Sequence, residues 1–115
     1  MNAFVDNLSD VFARFGTVQA RRMFGGYGIY RDGLMFGLVA DDVLYLKADE
    51  HSLEAFIALE LSPFVYIKNN KPVSLSYYAA PESIFDDPDE AVVWATRAFE
   101  AALRGKKSTR LSKHR

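Results

Sequence analysis

Large apolar residues at Phe4, Val5, Leu8, Val11, Phe12 and Phe15 recur at the three-and-four spacing of one helix face, and Gly16 follows as a stop signal. The first predicted element is an amphipathic helix. From Val18 the period shortens towards two. Tyr27 and Ile29 alternate with Gly28 and Tyr30, then Leu34, Phe36 and Leu38 with Met35, Gly37 and Val39, then Val43 and Tyr45 with Leu44 and Leu46. This is strand patterning. Asp32-Gly33 and Asp41-Asp42 divide the runs where hairpins need residues tolerant of positive φ, so an antiparallel meander of three or four strands is expected.

Asp49 is placed to cap a second helix carrying Leu53, Phe56, Ile57 and Leu59. Phe64–Lys68 and Val73–Tyr78 then flank Asn69-Asn70-Lys71 as another hairpin, with Pro72 at a strand start, where its missing N–H is tolerated. Asp87-Pro88-Asp89-Glu90 combines a capping acid, a proline at the first helical position and a glutamate three residues after the cap. Ala91, Trp94, Ala95, Ala98, Phe99, Ala102 and Leu103 give the last helix its apolar stripe, with Trp94 on the buried side and Gly105 as the expected stop. The order helix, three or four strands, helix, two strands, helix predicts a two-layer α+β domain with an antiparallel sheet over residues 1–104. Residues 105–115 form a basic tail expected to be disordered.

Composition adjusts this picture little. A chain of 115 residues, half of them hydrophobic, buries a core without staples. The absence of cysteine excludes disulfides, thiolate nucleophiles and Cys-based metal sites, and suits a reducing, cytoplasmic setting. No apolar run approaches a membrane span, and no membrane partner is expected. Charge is more informative. Six of the fourteen Lys and Arg (Arg104, Lys106, Lys107, Arg110, Lys113 and Arg115) lie in the last twelve residues without an acid, leaving eight to face all fifteen acids in the body. Such a tail is a solvated end or a weak, non-specific nucleic-acid arm.

Chemistry is sparse. Gly25, Gly26 and Gly28 resemble a phosphate-binding fingerprint only in part, because the third fingerprint position is Arg31, no helix pattern follows, and no Gly-Lys-Ser/Thr occurs. They read as a structural bend, and no cofactor is expected. Arg21 and Arg22 should point to opposite sheet faces, one at the surface and the other paired with an acid or holding a chain end. His51 and His114 lie far apart without ligand spacing, so no metal site is expected. Ser74 and Ser76 lack a nucleophile elbow. Asp86, Asp87, Asp89 and Glu90 fit helix capping better than a calcium loop. Tyr66, Tyr77 and Tyr78 mark the second hairpin as a candidate protein-binding surface. No catalytic constellation is visible.

Met23-Phe24-Gly25-Gly26-Tyr27-Gly28, Met35-Phe36, Leu44-Tyr45-Leu46-Lys47 and Ser74-Leu75-Ser76-Tyr77-Tyr78 followed by Pro81-Glu82 together resemble the N-terminal domain of the TfoX/Sxy competence regulators. The resemblance spans nearly all of residues 2–104 and implies a secretion-chaperone-like α+β fold. It also implies a non-enzymatic regulator of DNA-uptake gene transcription, acting through a protein partner of the cyclic-AMP receptor type. The alternatives are a homodimeric interaction or chaperone-like module without a transcriptional role, and a small ligand-binding domain or enzyme built on the glycine bend.

Overall fold

The computed structural model describes the backbone of residues 2–23 and 25–113. In chain order the elements are α1 (Ala3–Val11), β1 (Gln19–Met23), β2 (Gly26–Arg31), β3 (Leu34–Ala40), β4 (Val43–Lys47), α2 (Leu53–Ala58), β5 (Pro63–Lys68), β6 (Lys71–Ala79), a single 3-10 turn (Glu82–Phe85) and α3 (Pro88–Lys113). The α+β order read from periodicity holds, with four strands in the first group.

All six strands pair antiparallel in one sheet, in the order β1-β2-β3-β4-β6-β5. Its hairpins are fixed by turn chemistry. Asp32-Gly33 (φ 51° and 78°), Asp41-Asp42 (50° and 58°) and Asn69-Asn70 (53° and 64°) each place both central residues in the left-handed region. These are type I′ turns, whose twist matches that of the flanking strands. The second hairpin joins the meander through β6, where Tyr45 faces Ala79 and Lys47 faces Tyr77. β5 therefore takes the outer edge, and the far ends of β5 and β6 project as a two-stranded ribbon.

The helices cover one face only. Val5, Leu8, Phe12, Phe56, Trp94, Ala95 and Ala98 meet Ile29, Phe36, Val39, Leu44 and Leu46 in a single core. A register shift between Ile29 and Tyr30 makes Phe36 an extra residue on β3. The bulge lets Phe36 turn inward beside Gly37 instead of alternating outward. Phe12, Phe15, Phe36 and Phe99 then form a ring cluster with centroids 5.2–6.3 Å apart. Arg31 lies over it, 4.4 Å from the Phe15 ring and 5.0 Å from that of Phe99. Trp94 is buried edge-on to Phe56 at 5.0 Å, as its place on the apolar stripe predicts.

Helix ends depart from expectation in four places. α1 closes at Val11 and continues as turns to Gly16, where Phe15 N and Gly16 N both donate to the Phe12 carbonyl. Asp49 stands three residues before the N-cap Ser52, and its Oδ1 accepts from His51 N and Ser52 N as an Asx turn leading into α2. At α3, Asp87 Oδ1 accepts from Asp89 N and Glu90 N, but the reciprocal half of the capping box is replaced: Glu90 Oε1 accepts from Ser83 Oγ and Asp87 N donates to the Ser83 carbonyl. Finally, Gly105 does not end α3, which runs to Lys113. Gly105 is absent from the positive-φ glycines, so it forms no left-handed cap. A glycine inside a helix costs only about 1 kcal/mol relative to alanine, and no proline follows to enforce a stop.

Candidate functional site

Two regions gather the residues that sequence reading singled out: the glycine bend with the helix-free sheet face behind it, and the C-terminal half of α3.

At the bend, Gly25 turns the chain from β1 to β2 with φ 77°. A Cβ on Gly26 would strike the Val39 carbonyl oxygen, and one on Gly28 would lie 2.8 Å from Met23 Sδ and 2.9 Å from the Tyr30 ring. Close approach of β3 and of outer-face side chains thus accounts for both strand positions. Phe24 lies outside the described residues. A shallow cleft of about 350 Å³, lined by Arg22, Met23, Gly25, Gly26 and Tyr27, opens beside the bend. It follows a strand rather than leading into a helix, so no helix N-terminus faces it. Arg21 and Arg22 do diverge to opposite faces, but among the described residues Arg21 meets no carboxylate. It stacks on Tyr30 at 4.8 Å instead.

The helix-free face carries the outward residues of all six strands. Leu38 is buried there without joining the helix-side core. Lys47 lies 5.2 Å over the Tyr77 ring. Tyr45 and Phe64 meet edge-on at 5.1 Å, and Phe64 stacks with Tyr66 at 6.2 Å. Phe64 falls at a register shift between Pro63 and Val65, and opposite Tyr45 stands the small Ala79, so the two rings touch across β6. Burial on this face, followed by the nearby Tyr30 phenol, pushes the Tyr77 hydroxyl up to about 12. Tyr66 is exposed on the same side. Tyr78 points the other way, with its ring 5.6 Å from Phe56. The opposite side of the ribbon exposes Val65 (46 %) and Ile67 (68 %), and near the end of α2 Ile57 and Leu59 are exposed as well.

The cations assigned to a tail divide differently in the structure. Arg104 is half-buried and clamped: Nε donates to Asp49 Oδ2 at 2.6 Å and Nη2 to Oδ1 at 3.0 Å. That fork is the strongest geometry an Arg–carboxylate pair adopts. The hydrogen bonds from Arg104, opposed by partial burial, lower the Asp49 carboxyl to about 2. The same contacts raise Arg104 above its usual range. Its guanidinium is thus engaged by a structural partner, Asp49, where the sequence places it among the phosphate-facing cations. Only a fold could join residues 55 positions apart. Lys106 and Lys107 are exposed on α3. Arg110 and Lys113 lie on its last turns, and Arg115 and His114 fall outside the described residues.

His51 is exposed and engages Asp49 only through its backbone N–H. Ser74 and Ser76 are exposed on β6. Among the described residues no group of three or more His, Cys, Asp or Glu is arranged to hold a metal ion, and no helix is long and apolar enough to cross a membrane.

Residues 10–102 match the family described as the TfoX N-terminal domain. The chain is 32 % identical over 106 residues to Protein Sxy of Escherichia coli strain K12, covering 92 % of this chain and 50 % of that protein. It is 26 % identical over 87 residues to DNA transformation protein TfoX1 of Aliivibrio fischeri strain ATCC 700601 / ES114, covering 76 % of this chain and 42 % of the relative. The chain thus spans about half the length of the curated relatives it matches.

Proposed function

Because the chain belongs to the TfoX N-terminal domain family, we propose that it is a non-enzymatic cytoplasmic regulator of DNA-uptake gene expression, working by contact with a transcription regulator of the cyclic-AMP receptor type. The observation that carries this reading is the family match across residues 10–102, joined to relatives named Sxy and DNA transformation protein. The β5–β6 ribbon supports the part of it that concerns protein contact. Its Val65 and Ile67 are exposed on an edge strand, where backbone groups and apolar side chains together suit strand addition by a partner. The same edge favours the second reading, a self-associating or chaperone-like module.

Affinity capture of the full chain from its own cells, with and without nuclease, separates the two. Nuclease-resistant recovery of one transcription regulator, lost in Val65→Asp and Ile67→Asp variants, is the expected result. Recovery of the chain alone, as a dimer, overturns the first reading in favour of the second. A nucleic-acid arm begins at Lys106 in this proposal, since Arg104 is committed to Asp49. Lys106, Lys107, Arg110, Lys113 and Arg115 would give a log–log salt slope on duplex DNA of up to about −4.5, at roughly 0.9 per phosphate contact. Equal duplex binding by a chain ending at Gly105 removes the arm from the proposal.

A further inference from the structure

Charge in this chain is segregated by secondary structure. None of the fifteen Asp and Glu lies in a strand, whereas Arg21, Arg22, Arg31, Lys47, Lys68 and Lys71 do. Alternation along the strands and the pairing register send Arg21, Lys47, Lys68 and Lys71 to the face without helices. The strip of Tyr45, Phe64 and Tyr66 runs across the same face with ring spacings of 5.1 and 6.2 Å. The acids occupy the helices, the turns and the loops.

We propose that this open sheet face binds single-stranded nucleic acid, with bases stacking on the strip of Tyr66, Phe64 and Tyr45 and phosphates following Lys47, Lys68 and Lys71. Aromatic rings standing on an uncovered sheet, interleaved with cations, supply the two interactions that sequence-tolerant single-strand binding uses. A duplex hides its base faces and would gain only the charge term. A protein occupant fits less well. It would desolvate four cations for which this face offers no carboxylate, and interface cores are depleted in lysine. A second copy laid face to face would oppose the same cations to themselves. The proposal is independent of the regulatory reading above, since it rests on this face alone.

The test measures fluorescence anisotropy of a labelled oligothymidylate of about 15 nucleotides and of a duplex of equal length with the full chain, across a salt series. The expected results are tighter binding of the single strand and a slope of about −2, from Lys47, Lys68 and Lys71 at roughly 0.7 each. Tyr66→Ala, at a side chain already exposed, should weaken single-strand binding at least about fivefold without moving Tm. Lys68→Gln with Lys71→Gln, at the ribbon tip, should make the slope shallower by about 1.4. In a Lys106→Gln with Lys107→Gln background the roughly fivefold loss caused by Tyr66→Ala should persist, which separates this face from the helical arm. Unaltered affinity in Tyr66→Ala, a duplex bound as tightly as the single strand, or disappearance of the Tyr66→Ala effect in the Lys106 and Lys107 background would each overturn the proposal. So would a dimer in sedimentation that Tyr66→Ala dissolves, because the face would then belong to a second copy.

Discussion

Replacing Asp49 by Asn removes the charge that holds Arg104 while keeping an oxygen able to accept from His51 N and Ser52 N. The perturbation therefore isolates the ion pair from the Asx turn. The magnitude follows from the carboxyl, lowered from its ordinary 3.8 to about 2 chiefly by its hydrogen bonds from Arg104. Unscreened, that difference is worth about 2 kcal/mol. Arg104 keeps 39 % of its side chain exposed against 22 % for Asp49, and solvent at that end brings the net contribution to about 1 kcal/mol. The sign is set by the direction of the change. A carboxyl that is more acidic in the folded chain stabilises it above the unfolded value near 4, and that stability is lost as pH falls through about 2. Chemical denaturation of the wild type, Asp49→Asn and Arg104→Gln near pH 7, 5 and 3 should show losses of about 1 kcal/mol at neutral pH, or roughly 4–8 °C in Tm for a domain of this size. The gap should narrow at pH 3, and the double variant should lose less than the two singles together. A gap between wild type and Asp49→Asn that is as wide at pH 3 as at pH 7 would refute the assignment.

Gly26→Ala should cost about 2–3 kcal/mol, because its methyl meets the Val39 backbone, whereas Gly25→Ala faces open space at φ 77° and should cost about 1 kcal/mol. Equal denaturation midpoints for the two variants would contradict the crowding argument. Trp94→Ala should destabilise by about 3–5 kcal/mol, and native fluorescence should be blue-shifted; emission resembling free indole would place Trp94 outside the core. Ultraviolet titration should resolve one tyrosine ionising near 12, absent in Tyr77→Phe. Since that phenol is kept neutral by the fold, its contribution is intact below the unfolded value near 10 and disappears as pH rises towards 12.

The hairpins were legible because Asp32-Gly33, Asp41-Asp42 and Asn69-Asn70 announce their own backbone conformation, and Trp94 because one helix stripe decides its direction. The bulges were not. Phe36 interrupts alternation on β3 by a single residue, and at Phe64 the pairing of β5 with β6 slips between Pro63 and Val65; the reason lies in a partner strand or a facing ring rather than in neighbours along the chain. The pairing of Arg104 with Asp49 is hidden because local charge density groups Arg104 with the lysines after it, while Asp49 is distant in sequence. Gly105 looks like a stop in the sequence, but a glycine closes a helix only when it turns left-handed, which composition does not report. The helix-free face was readable in principle, since the strand segments contain no acid. No single strand displays the face, because only the pairing of all six gathers its cations and rings on one side.

The three type I′ turns have a consequence in chirality. Asp32, Asp41, Asp42, Asn69 and Asn70 are L-residues held at backbone angles natural to their mirror images. Asn70→Gly should relieve that strain, whereas Asp42→Gly also forfeits the 3.3 Å bond from Asn2 Nδ2. A D-asparagine introduced at position 70 by chemical ligation would relieve the strain without glycine's extra freedom in the unfolded chain. In a β5–β6 ribbon that only its near end ties to β4, this inverted stereocentre should register as greater order at the hairpin tip.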